Sequence, residues 1–154
     1  AAGEVGHIKV DKEIEEACGC GGAGCVEQFA SAPGIVRMAK KLLAQSDKPS
    51  LLREGEVTAK SVFDAVKAGD EIAKEVAERF GHYLGYSLAA AAAVVDPEAF
   101  IIGGGVSKAG EILIEYVQKY YKKYVWPGCR DKKFVLAKLG NDAGIYGAAS
   151  YVKM

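Results

Sequence analysis

Three cysteines and four glycines crowd into CGCGGAGC, residues 18–25 of a 154-residue chain, and a histidine stands upstream at His7. Such a loop has little core of its own, so burial alone does not hold it. Three chemistries compete to do so. A disulfide needs an oxidising compartment, and Cys18 and Cys20 are too close in sequence to pair easily. A redox pair is normally C-x-x-C beside a βαβ unit, whereas the spacing here is C-x-C-x4-C. A metal needs four soft or borderline donors. His7, Cys18, Cys20 and Cys25 supply a Cys3His set of the kind that holds structural zinc, and the metal reading accounts best for ligand type and spacing. Gly19, Gly21, Gly22 and Gly24 let the backbone turn so that three sulfurs face one point. The fourth cysteine, Cys129, lies far off in a Trp-Pro-Gly segment and reads as a lone thiol.

Charge and hydropathy narrow the function classes. Twenty basic and twenty acidic residues balance to a formal net charge of zero. That removes the usual reason to propose nucleic acid or an anionic membrane as partner. The longest largely apolar stretch, Tyr83 to Val95, is too short to span a bilayer. No basic-then-apolar signal sequence opens the chain, so a cytoplasmic address is expected. The start, AAGEVGHIKV, enters mid-pattern without an initiator methionine, which suggests a piece of a larger protein.

Hydrophobic periodicity gives the element order. His7 to Val10 is β-like. A helical pattern runs from Val26 to about Ala44, with Pro33 and Gly34 arguing for a break. SDKPS, 46–50, is a loop. Thr58 can cap a helix to about Ala68, and Asp70 a longer one to about Val95, closed by Asp96-Pro97. Ala99 to Ile102 is a short buried strand candidate, followed by the turn Gly103-Gly104-Gly105. A helix from about Ala109 to Tyr124, a strand from Phe134 to Lys138 and a last helix capped by Asn141 or Asp142 complete the chain. Strand, turn, helix, strand, turn, helix is α/β grammar with parallel strands. Gly81, Gly85 and the alanines 89–93 invite close approach of a neighbouring element. His82 reads as a partly exposed helix residue. Tyr116, Tyr120, Tyr121 and Tyr124 pack on the domain or at a subunit contact.

GEVGHIKV followed by CGCGGAGCVEQFAS resembles the ROK family of sugar kinases and sugar-responsive repressors. DPEAFIIGGGVS and LGNDAGIYGAA agree with it, and with ASAPGIVRMA the likeness is greatest to the glucokinase branch. The resemblance covers essentially the whole chain. It implies the C-terminal lobe of an actin-like, ribonuclease-H-like sugar kinase: residues 1–154 as one partial domain, with a parallel sheet, flanking helices, and a zinc-knuckle and sugar-site segment at 1–27. It implies that His7 touches both zinc and sugar, one imidazole nitrogen for each. Glu4 and Glu27 match family sugar-binding carboxylates, which can accept from two adjacent hydroxyls. Gly103, Gly104 and Gly105 match part of the ATP site, where absent side chains allow a nucleotide close to backbone. They fit neither the Walker loop nor the dinucleotide pattern, since Glu111 and Ile112 follow Gly110 and Lys108 stands where a glycine would be needed. A tight strand-to-helix turn explains them equally well.

Phosphoryl transfer also needs a phosphate cradle, Mg2+ and a general base. The family's D-x-G-G-T motif and its catalytic Asn-Asp aspartate are absent here in their matching context. Asn141-Asp142 belongs to the closing LGNDAG motif, so no residue of this chain is expected to be catalytic. The resemblance therefore implies a parent ATP-dependent hexose kinase, most simply a glucokinase acting on the glucose 6-hydroxyl, and a chain that is inactive alone. The alternative is the sugar-sensing half of a ROK repressor. Zn2+, ATP and Mg2+ are the implied cofactors, a hexose the partner, and a homo-oligomer the assembly. A sheet missing strands should leave an edge that invites self-association.

Overall fold

The computed structural model describes residues 3–152. The elements run α1 (Glu27–Ala30), α2 (Ala32–Gln45), α3 (Ala59–Lys67), α4 (Glu71–Val95), β1 (Ala99–Ile102), α5 (Glu111–Tyr124), β2 (Lys133–Leu136) and α6 (Ala143–Tyr151), with short 3-10 turns between several of them. β1 and β2 pair in parallel, with Phe100 opposite Phe134 and Ile101 opposite Val135. The fold is therefore α/β, with a two-stranded parallel sheet and flanking helices.

The long helix α4 organises the core. Ile72, Val76 and Phe80 recur every fourth residue and share a buried face with Ala73 and Ala77. They pack with Ile35 and Met38 of α2, Val62 and Phe63 of α3, and Leu113 and Val117 of α5. Each large apolar side chain sealed in this way contributes about 1.5–3 kcal/mol. α5 lies against α4 where two glycines remove the obstacle. A Cβ on Gly81 would stand 2.6 Å from the Tyr116 carbonyl oxygen, and one on Gly85 would stand 2.7 Å from the Tyr121 amide. Tyr121 is buried beyond that crossing and donates to the Cys129 carbonyl at 2.5 Å. Tyr124 meets His82 Nδ1 at 2.9 Å, so Tyr121 and Tyr124 both make their polar contacts within the domain.

Helix starts follow the capping residues. Thr58 and Ser61 form a reciprocal capping box at 3.0 and 2.8 Å. Asp70 Oδ1 accepts from the Ala73 amide at 2.9 Å, and its Oδ2 accepts from the Leu51 amide at 2.7 Å. Burial works against ionisation of Asp70, but the backbone donors at Ala73, Leu51 and Ile72 and the Ser50 hydroxyl outweigh it. The carboxyl is held below its ordinary range. Asp96 ends α4 in the left-handed region, at φ 43°.

Several expected boundaries move. His7–Val10 is not a strand: Val5–His7 forms a 3-10 turn and Lys9 makes one antiparallel bridge, to Cys25. The helix break falls at Ser31, two residues before Pro33. Ser31 caps α2 through the Gly34 amide, and Pro33 sits in the first turn, where its missing N–H costs nothing. Residues 105–109 form a 3-10 turn, so α5 starts at Glu111. The Ser107 hydroxyl donates to the Gly104 carbonyl within that turn. Strand β2 starts one residue early and stops at Leu136. Asp142 precedes α6 but makes no side-chain cap, and the side chain of Asn141 lies outside those described.

The two ends of this architecture differ in cover. Phe100 and Phe134 pack inward against Tyr121, whereas Ile101 on the opposite sheet face is 70% exposed. α6 buries no residue.

Candidate metal and sugar site

Residues 3–26 form a knuckle laced by backbone hydrogen bonds. Val10 donates to the Gly24 carbonyl at 2.8 Å, Val26 to Ile8 at 3.0 Å and Cys18 to Gly22 at 2.6 Å. Gly24 is required by this weave: its φ is +72°, and a Cβ there would lie 1.7 Å from the Asp11 carbonyl oxygen.

The weave brings the four expected donors together. The donor atoms of His7, Cys18, Cys20 and Cys25 all lie within 4.8 Å of one another. Cys20 Sγ is 3.6 Å from Cys25 Sγ, and Cys18 Sγ is 3.8 Å from His7 Nδ1. A tetrahedron with zinc–sulfur bonds of about 2.3 Å would space its sulfurs by about 3.8 Å, so the donor set fits that ion. All three cysteines are free thiols. The set also divides electrostatically. The Gly22 backbone N–H, then the Cys25 and Cys18 side chains, bring the Cys20 thiol down to about 7. At Cys18 a backbone hydrogen bond from Cys20 pulls the same way. Burial and the neighbouring Cys20, Cys25 and Glu27 side chains outweigh it, and the thiol is pushed up to about 11. Three sulfurs this close cannot all become thiolates cheaply without a cation among them.

The candidate sugar residues border this cluster. His7 turns Nδ1 toward Cys18 and leaves Nε2 4.0 Å from the Glu4 carboxylate. Cys18 Sγ donates to Glu27 Oε1 at 3.5 Å, which places the Glu27 carboxylate beside the four clustered donors. Glu27, Val5, Phe80, Leu88, Ile102 and Gly103 help line one groove of about 430 Å³ between the knuckle and β1. Glu27 and Gly103 thus share a cavity wall, while Gly104 and Gly105 do not line it. Gly104, at φ +76°, and Gly105 have nothing within 4 Å of where a Cβ would stand, so backbone is open to approach there. Gly103 is closer-set, with Ala137 at 3.2 Å.

Sequence reasoning missed the residues that fasten the knuckle to the helices. Gln28 is 5% exposed, accepts from the Cys25 amide at 3.0 Å and donates to the Glu16 carbonyl at 2.8 Å. One amide side chain thereby ties both ends of the cysteine loop. Arg37 reaches Glu16 Oε1 at 3.2 Å and also donates to the Gln28 carbonyl. Tyr83, on α4, stacks on Phe29 with ring centroids 3.9 Å apart and donates to Asp11 Oδ2 at 2.8 Å. Burial, then the Asp11 carboxylate, pushes its phenol up to about 12. The only signal for Gln28 was its place directly after Glu27. Nothing in the sequence signals the Tyr83–Asp11 bond, which spans 72 residues.

Four clustered His and Cys donors thus sit on a small α/β framework. The ROK family model matches residues 1–154, and the chain belongs to the ROK family. It is 41% identical to a glucokinase of Halalkalibacterium halodurans over 157 residues, covering 99% of this chain and 48% of that protein. It is 33% identical to the N-acetylglucosamine repressor of Escherichia coli O157:H7 over 116 residues, covering 75% of this chain and 28% of that protein. Among solved structures, a ROK family glucokinase from Streptomyces griseus in complex with glucose and AMPPNP superposes with a TM-score of 0.86 at 34% identity, covering 98% of this chain and 51% of that one. The chain spans about half the length of the curated relatives named glucokinase that it matches.

Proposed function

We propose that the protein carrying this chain is an ATP-dependent hexose kinase of the cytoplasm, a glucokinase that moves the ATP γ-phosphate to the glucose 6-hydroxyl. This chain would be the C-terminal lobe of its actin-like, ribonuclease-H-like fold. The observation that supports the reading is the place of Glu27: a carboxylate suited to sugar hydroxyls stands beside the clustered Cys3His donors and lines the groove that continues to Gly103.

His7, Cys18, Cys20 and Cys25 would hold zinc. The ion, when bound, supplies a fixed charge that keeps the sulfurs as thiolates and the imidazole in one orientation. His7 then offers Nε2 to a sugar hydroxyl while Glu4 and Glu27 accept hydroxyl protons. Gly103 ends the groove, and Gly104 and Gly105, just outside it, would leave backbone accessible to ATP and its Mg2+. We assign no general base to this chain, which therefore orients the sugar but does not activate its hydroxyl.

The test is ATP-dependent glucose 6-phosphate formation by the full-length protein. Glu27→Gln should lower kcat/KM by about 100-fold, as loss of a charged partner to two hydroxyls would. The 154-residue chain alone should give no product, and product from it would overturn the division of labour between lobes. A second reading, the sugar-sensing half of a repressor, draws support from the 33% identity to the N-acetylglucosamine repressor. Sugar-dependent DNA binding by a full-length protein that consumes no ATP with any hexose would decide for it.

A further inference from the structure

One cation of the knuckle is used by neither the metal nor the sugar assignment. Lys9 bridges Cys25 in the antiparallel pair, and its Nζ donates to Cys25 Sγ at 3.2 Å. Cys25 is fully buried, and this ammonium is a charged donor on its sulfur alongside the neighbouring thiols. The path of Lys9 to that sulfur depends on Gly22. A Cβ there would stand 2.1 Å from Lys9 Nζ and 3.2 Å from its Cε, while meeting Cys20 Sγ at an ordinary 3.6 Å.

The charge of the proposed site gives this contact a purpose. Three thiolates and a neutral imidazole around a divalent ion leave one negative charge, carried on sulfur. A charge-assisted N–H donor engages the sulfur's lone-pair density and makes it a poorer nucleophile. We propose that Lys9 is the charge-balancing residue of the knuckle, its ammonium holding the Cys25 thiolate unreactive so that the site stays structural. This rests on the zinc reading above. Lys9 itself is solvent-exposed, so long-range attraction is screened and the direct hydrogen bond to sulfur carries the effect.

The experiment follows zinc release from the purified zinc-loaded protein when N-ethylmaleimide alkylates its cysteines, after zinc content has been fixed by elemental analysis. Lys9→Met keeps the length and removes the charge, and it should release zinc about threefold faster. Lys9→Arg should restore the wild-type rate. Gly22→Ala leaves Lys9 in the sequence but pushes its ammonium aside, and should behave like Lys9→Met. Peptide mapping should place the added early alkylation on Cys25. Equal release rates in wild type and Lys9→Met, with about one zinc in each, would overturn the role of Lys9 and leave the zinc reading intact. Fast release by Lys9→Arg as well would overturn it too, because charge would then not be what matters. A wild-type protein without zinc would overturn both.

Discussion

Phe80 and Cys25 are almost equally sealed from solvent, at 1% and 0% exposure, yet they sit in different kinds of surroundings. Around Phe80 are Phe63, Val76 and Leu113, side chains from three helices whose contact needs no polar partner. Around Cys25 are two sulfurs' worth of donor chemistry, a lysine, and the Gln28 amide that takes up its backbone N–H. The helical body is held by apolar area. The knuckle is held by named polar bonds and, on the proposed reading, by a metal. The first kind of stability is spread over many residues, whereas the second is concentrated in a few, and those few are beside the proposed sugar carboxylates.

That contrast can be broken from either side. Phe80→Ala should cost the most, about 3–5 kcal/mol by denaturant unfolding, as expected for an aromatic truncated at the centre of a packed core. Zinc content should nevertheless stay at its wild-type level in the folded fraction. Cys20→Ser should do the reverse. It should release the metal, lower the thermal midpoint less than Phe80→Ala does, and speed hydrogen exchange at residues 7–25 while α4 keeps its protection. Unchanged zinc content and midpoint in that variant would refute the tetrahedral assignment. Gln28→Leu removes no charge and little volume, but orphans the Cys25 amide and the Glu16 carbonyl. A loss of about 1–3 kcal/mol is expected, read by unfolding together with faster exchange of the Cys25 amide.

The smallest effect belongs to the body's polar fastening. The folded-state pKa of Asp70 lies below its unfolded value, so its stabilisation is present above about pH 4 and disappears as pH falls through the folded value. Asp70→Asn should cost about 1 kcal/mol at neutral pH and flatten the acid limb of the stability curve. An acid limb as steep as the wild type's would show that Asp70 is not the group titrating there.

What could be read from the chain divides along the same line. Thr58 and Asp70 cap the helices expected of them, and Ala99–Ile102 is the strand expected of it, because caps and apolar runs are local signals. That His7, Cys18, Cys20 and Cys25 come together was legible because residue type and spacing survive as a pattern even when the fold is unknown. The fasteners were not legible. Gln28 reads as an ordinary polar residue at a helix start, and Tyr83 as one more aromatic on a long helix, until folding brings Glu16 and Asp11 to them. The β-like look of His7–Val10 misled for the related reason that the segment finds a single bridge partner at Cys25, too little for a strand.

On the proposed reading a metal completes the knuckle, and elemental analysis of the purified, tag-free protein decides it: about one zinc per chain is expected, lost in Cys20→Ser. Absence of zinc from wild-type protein never exposed to a chelator would contradict it, return the cysteines to disulfide or redox chemistry, and remove the main support for Glu4, His7 and Glu27 as sugar ligands.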